Sequence, residues 1–233
     1  MPSRSGKVVA IIPAAGVGVR MKTSTPKQYL ELKNKPLLIH TLEKFQLCQS
    51  IDEIILVVPK HTLRETEQLV IKWKIEKLLC VIPGGEERQD SVREGLNNLP
   101  EKTQIVVIHD GIRPFISIHK IQEAVEAAAK HGASVLALPV KETIKERKGH
   151  WVKNTLDREP LLNVQTPQCF LKQWIRDAHT RAEKDNFYAT DDSALVERIG
   201  HPVFIVQGEE KNVKITSPSD LKLAEWLLQE ENI

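Results

Sequence analysis

The sequence predicts an α/β protein: a mainly parallel, twisted sheet with helices on both faces. Three observations carry that expectation. Short apolar runs of strand length recur along the chain and end at Pro, Gly or charged residues. Segments with apolar residues at helical spacing lie between them. The connections are short, so strands and helices alternate as βαβ units with right-handed crossovers. With 233 residues, 41% hydrophobic and 27% charged, the chain can bury a full core and is too apolar for a disordered one.

Taken in order, VVAIIPA (8–14) is continuous and apolar, as a strand buried on both faces requires. PLLIHTLEKFQ (36–46) has helical spacing, with Pro36 suited to a first turn. EIILVVP (53–59) is a second buried strand, and TLRETEQLVIKW (62–73) a helix. LLCVIPGG (78–85) reads as a strand running into a glycine loop, and DSVREGLNNL (90–99) as a helix opening on good N-cap residues. QIVVIHDG (104–111) is a strand and then a turn. HKIQEAVEAAAKHGA (119–133) is a helix stopped by Gly132, and SVLALPV (134–140) a further strand. Residues 142–160 are charged, with Gly149 at the tip of a hairpin. Two strands this polar are marginal alone in water, so the hairpin either packs on its own domain or serves as an arm that pairs with a second chain. The arm is the expectation carried forward. LKQWIRDAHTRAEK and TDDSALVERIG follow as helices, the second stopped by Gly200. PVFIVQG is a last strand, and SPSDLKLAEWLLQ a last helix with Ser217 as cap and Pro218 at its first position.

A formal net charge of +2 gives no pull toward nucleic acid or acidic membranes, so an anion site must be local. The three cysteines, Cys48, Cys80 and Cys169, are widely spaced and odd in number. They offer no metal-ligand spacing and no disulfide framework, which fits a reducing cytoplasm. The basic start MPSRSGK before an apolar stretch resembles a short signal peptide, but Pro13 and the glycines interrupt the apolar run. No run approaches the ~18 apolar residues of a membrane span.

Ligands of such sheets sit beyond the carboxyl ends of the strands. PAAGVG, PGGEER and HDGIRP share that edge. The first loop is not a dinucleotide fingerprint: Met21 stands where the third Gly belongs, and the next strand ends at Val58 and Pro59 instead of an acidic residue. Nor does it have the Gly-Lys-Ser/Thr of a Walker loop. What remains is a loop rich in Ala and Gly, which brings backbone N–H groups close to a phosphate, followed by Arg20, Lys22 and Lys27 to neutralise charge.

The blocks PAAGVGVRM…PKQY, PGGEERQDSVREGL, HDGIRPF, VKETIK, LDR…QTPQ, ATDDSALVE and NVKIT occur in this order across nearly the whole chain. Together they resemble the 2-C-methyl-D-erythritol 4-phosphate cytidylyltransferases of the non-mevalonate isoprenoid pathway. That resemblance implies a Rossmann-like nucleotidyltransferase fold over residues 1–233 as one domain, with 141–160 as a β-arm for dimerisation. The substrates would be CTP and methylerythritol phosphate, with Mg²⁺ as cofactor and neither nucleic acid nor membrane as partner.

By the same resemblance, Arg20 and Lys27 stabilise the transition state at the triphosphate, while Lys22 matches no functional position. Pro13, Ala14, Ala15, Gly16 and Gly18 line one side of the nucleotide, and Gly85, Glu86, Arg88 and Ser91 the other, with Asp110 and Gly111 beyond. Asp110 is the implied metal ligand. Arg158 and Lys214 act catalytically on the second substrate's phosphate, with Arg113, Thr143 and Thr190 around it; Arg158, on the arm, would serve the neighbouring subunit. His109 is read as structural, since the attacking phosphate needs no base. Two residues depart from the family pattern: Ile112, beside Asp110, replaces a usually small residue, and Glu142 stands where Asp is common. Two other readings stay open: a cytidylyltransferase for another polyol phosphate such as ribitol 5-phosphate, and a regulator that binds CTP without turnover.

Overall fold

The structure, a computed structural model, describes residues 6–16 and 26–230. The chain opens with β1 (Lys7–Pro13), then, after the two-residue strands β2 (Glu31–Leu32) and β3 (Lys35–Pro36) and the helix α1 (Leu37–Leu47), β4 (Glu53–Val58). α2 (Leu63–Lys72) leads to β5 (Leu78–Pro83), and α3 (Arg88–Asn97) to β6 (Thr103–Ile108). α4 (Ile118–His131), β7 (Ala133–Pro139), the hairpin β8 (Lys145–Lys148) and β9 (Trp151–Thr155), and β10 (Leu162–Leu171) follow. α5 (Lys172–Lys184), α6 (Asp192–Arg198), β11 (Phe204–Gln207) and α7 (Pro218–Glu230) complete the described chain.

Seven strands form one sheet in the order β11-β7-β10-β6-β1-β4-β5. All its pairs are parallel except those of β10, which runs antiparallel to both β6 and β7. Both faces are covered, and period-2 alternation divides each central strand between them. Val8, Ala10 and Ile12 of β1 face the core shared with α1 and α4, while Val9 and Ile11 face that of α3, α5 and α6. β4 and β6 divide in the same way. A third cluster places Ala224 of α7 against Leu32, Leu37 and Phe115. Of the strands expected from apolar runs, the central β1, β4 and β6 are buried on both faces along most of their length, while β5 and β11, at the sheet edges, keep exposed residues.

Two expectations need correction. α3 begins at Arg88, not Asp90. Glu87 is its N-cap, and Glu87 and Asp90 form a reciprocal capping box in which the Glu87 N–H donates to Asp90 Oδ2 at 3.1 Å. β10 was not foreseen at all, although it sits between β6 and β7. Other boundaries hold: Gly132 closes α4 at φ 92, where a side chain would be strained, and Ser217 Oγ accepts from the Asp220 N–H at the start of α7. The hairpin turns at Gly149 and forms a two-stranded sheet of its own.

Candidate active site

The carboxyl ends of β1, β4, β5 and β6 open on a cavity of about 680 Å³. Pro13, Ala14, Ala15 and Gly16 line one side, and Gly85, Glu86, Arg88 and Ser91 the other. The two sides meet closely at Gly84, where a Cβ would stand 2.4 Å from Ala15 Cβ and 2.6 Å from Ser91 Oγ. Only glycine allows that approach. Lys27 reaches the cavity from a 3₁₀ turn, Lys27–Tyr29. Tyr29 fixes the turn by donating its hydroxyl to Thr62 Oγ1 at 2.9 Å and meeting Thr66 Oγ1 at 2.6 Å, at the start of α2. Two N–H groups at the start of α3 are spent on its own capping box, so cationic side chains supply much of the positive charge.

Asp110, just past β6, anchors the floor. Its carboxylate is 7% exposed and accepts from Arg88 Nε at 3.1 Å, Lys214 Nζ at 3.0 Å and Arg113 Nε at 3.3 Å. Burial alone would raise its pKa; the three cations outweigh that and hold the carboxyl ionised, well below the usual carboxylate range. Arg88 also donates to Asp192 Oδ2 at 2.7 Å. Its pKa stays above the ordinary arginine value, because Asp192 and Asp110 overcome the cost of burial.

Behind the floor, His109 is fully buried. The Asp110 N–H donates to Thr166 Oγ1, whose hydroxyl meets His109 Nδ1 at 3.0 Å, and His109 Nε2 meets the Arg113 carbonyl at 3.1 Å. The Arg113 carbonyl can only accept, so Nε2 carries a proton, and the Thr166 hydroxyl can donate to Nδ1 of a neutral ring. Burial pushes the pKa down to about 4. Both ring nitrogens are engaged inside the protein, which matches a structural role.

A second cavity, of about 320 Å³, lies on the other side of the floor. Thr190, Arg113, Asn163 and Gln168 line it, and Arg88, Asp110 and Lys214 line both cavities. The structure thus brings together most of the residues singled out in the sequence. Gly111 is not on either wall; its N–H donates to the Pro13 carbonyl and its own carbonyl accepts from Thr41. Thr143 and Arg158 are exposed at the base of the hairpin and line neither cavity. Gly18, Arg20 and Lys22 lie outside the described residues. Ile112, 5% exposed, does line the larger cavity. Sequence reasoning missed Gln28, Pro59, Lys60 and His61 on the wall; the last three follow β4, so the strand-end rule applied to that strand would have found them. It also missed Asp192.

Among the described residues, no three histidines, cysteines or carboxylates converge as a metal site. Asp110 nevertheless fits a hard divalent cation. Oδ1 takes one donor and Oδ2 two, so Oδ1 keeps a lone pair, and magnesium commonly accepts one or two carboxylates and completes its shell with phosphate and water.

Residues 8–230 match the family described as 2-C-methyl-D-erythritol 4-phosphate cytidylyltransferase. An enzyme of that name from Syntrophus aciditrophicus is 46% identical over 228 residues, 97% of each chain. One from Geobacillus kaustophilus is 45% identical, covering 94% of this chain and 96% of its own. The crystal structure of 4-diphosphocytidyl-2C-methyl-D-erythritol synthase from Anaerococcus prevotii superposes with a TM-score of 0.86 at 33% identity, covering 97% of both chains. Among the described residues, no helix is long and apolar enough to cross a membrane.

Proposed function

The chain belongs to the 2-C-methyl-D-erythritol 4-phosphate cytidylyltransferase family, and on that premise we propose how its site performs the family's reaction. The enzyme transfers CMP from CTP to 2-C-methyl-D-erythritol 4-phosphate, giving 4-diphosphocytidyl-2-C-methyl-D-erythritol and pyrophosphate. The observation that carries the site assignment is the floor of Arg88, Asp110 and Lys214 shared by the two cavities. CTP occupies the larger cavity, its base between the Pro13–Gly16 backbone and Gly85, Glu86 and Ser91. The polyol phosphate occupies the smaller one, beside Thr190 and Arg113.

The chemical problem is that one anion must attack another, in line, at the α-phosphorus. Charge grows on the equatorial oxygens, and no covalent intermediate or general base is needed. Lys27 and Arg20 neutralise the triphosphate, and Lys214 draws the attacking phosphate toward the floor. Arg88 and Arg113 hold Asp110 in place. Asp110, with phosphate oxygens, would hold the Mg²⁺; when bound, that ion neutralises triphosphate charge and favours departure of pyrophosphate.

We propose further that the 141–160 arm joins two copies. Trp151 and Val152 are 81% and 64% exposed on a hairpin that pairs with no other strand among the described residues, and Thr143 and Arg158 would then complete the partner's site. A cytoplasmic setting suits three cysteines that form no disulfide.

The test is pyrophosphate release with CTP, UTP, ATP and GTP, each against methylerythritol phosphate and ribitol 5-phosphate, with Mg²⁺ or with EDTA. Release confined to CTP, methylerythritol phosphate and Mg²⁺ is expected. Preference for ribitol 5-phosphate would reassign the second cavity, and CTP binding without release would make the chain a regulator.

A further inference from the structure

A chain of polar contacts leads from the floor into the interior. Arg88 spans Asp110 and Asp192, and Asp192 Oδ1 meets His179 Nε2 at 3.2 Å. Asp192 and His179 are 1% and 2% exposed. Neither cavity near the floor includes Asp192 among its walls, so its carboxylate is not a ligand contact. It is not needed to start α6 either. Asp191 does that, accepting the Ala194 N–H at 3.0 Å on Oδ1 while Oδ2 takes Gln168 and the Ser193 hydroxyl. A buried carboxylate costs stability unless it is well paired. This one is spent on Arg88 and His179 alone among the described residues.

The guanidinium has five N–H groups. Two are engaged with described residues, Nε with Asp110 and one on Nη1 with Asp192. Three remain for a ligand. Without Asp192, Nη1 would lose its partner and the guanidinium would be held among the described residues at Nε alone, free to swing about that contact.

We propose that Asp192 is a positioning residue for the transfer: it holds the far end of the Arg88 guanidinium, so that Arg88 keeps its place across the floor when Asp110 turns to the substrates. Thr190, two residues earlier, lines the second cavity, so the turn that contacts the polyol phosphate also fixes Arg88. The proposal rests on the reading of Arg88 as a group that touches the nucleotide.

The experiment is a double-mutant cycle in pyrophosphate release, with thermal unfolding alongside. Asp192→Asn should lower kcat roughly 10- to 100-fold, as misplacement of about 1 Å in a reacting array does, with KM for methylerythritol phosphate changed by no more than about threefold. In an Arg88→Met background the same substitution should cost nothing further, because its effect runs through Arg88. Equal losses in both backgrounds, or a fall in Tm with kcat unchanged, would overturn the proposal. Should Asp192→Asn not fold, His179→Asn tests the chain from its far end. A smaller kcat loss that vanishes with Arg88→Met is then expected, and an equal loss in both backgrounds refutes it. If Arg88→Met alone turns over normally, the assignment of Arg88 is wrong and the proposal falls with it. If that variant is impaired while Asp192→Asn is not, only the proposal falls.

Discussion

Gly84→Ala would test whether two walls at van der Waals contact define the nucleotide cavity. The added methyl would stand 2.4 Å from Ala15 Cβ and 2.6 Å from Ser91 Oγ. Carbon atoms rest at about 3.5–4.0 Å, so the Ala15 contact demands an opening of about 1 Å; Ser91 can relieve its contact by rotating. Overpacking of this size costs about 1–3 kcal/mol, which for a chain of this length lowers Tm by about 2–4 °C per kcal/mol. The larger effect falls on catalysis, since moving a binding wall by about 1 Å can cost around 10²-fold. Pyrophosphate release under CTP titration should therefore show kcat/KM for CTP down by roughly that factor while most stability is kept. Adding Ala15→Gly removes the worst contact and should restore most of the loss. If Gly84→Ala binds and turns over CTP as the parent does, the two walls do not clasp the nucleotide and the cavity assignment is wrong.

Lys27→Glu should leave the unfolding transition near that of the parent and nearly abolish release; loss of one such charge contact alone corresponds to about 2.7–4 kcal/mol of barrier, and normal turnover would remove Lys27 from the mechanism. His109, with a pKa pushed down to about 4 by burial, stays neutral in the fold while the unfolded chain takes up its proton below about pH 6.5. Its share of stability is therefore complete above pH ~6.5 and is lost as pH falls toward 4, by up to about 3 kcal/mol. Urea unfolding from pH 7 to 4 should show a shallower slope in His109→Gln; an unchanged slope would place the titrating group elsewhere. Trp151→Asp with Val152→Asp should convert a dimer to monomers in sedimentation without lowering Tm of the isolated subunit, and an unchanged sedimentation coefficient would show that the arm joins nothing.

What was legible in the sequence follows the physics of burial. β1, β4 and β6 have side chains buried on both faces, so composition alone reveals them. β10 resists that reading because its middle is spent on polar work. Gln165 accepts from Asn212 Nδ2 and the Glu209 N–H, Thr166 serves His109 and Asp110, and Gln168 bridges Asp191 and Ser193. Pro167 adds a residue that cannot donate to a ladder, and the register with β7 shifts between Val164 and Gln168. Glu87 escapes as a cap because glutamate lies outside the usual N-cap set; only its reciprocity with Asp90 makes it one. In the site, the strand-end rule located the cavity and missed Asp192, whose meaning depends on a contact with Arg88 across 104 positions.

The floor also explains why the site needs acidic residues in a place built to attract phosphate. Arg88, Arg113 and Lys214 would repel one another if gathered alone in a buried corner. Asp110 holds all three at hydrogen-bond distance, and Asp192 holds Arg88 from behind. The cations are therefore assembled when the chain folds, before any substrate arrives. Their electrostatic reorganisation is largely complete before the chemical step, which is the condition under which fixed charges lower a barrier most. Asp110 is the one member of this group whose partners must loosen when phosphates and a divalent ion come in. A cluster that keeps its spacing while its central carboxylate changes partners needs an anchor outside the cavity. Among the described residues, Asp192, at the head of α6 and braced by His179, is the carboxylate that reaches the cluster from the interior.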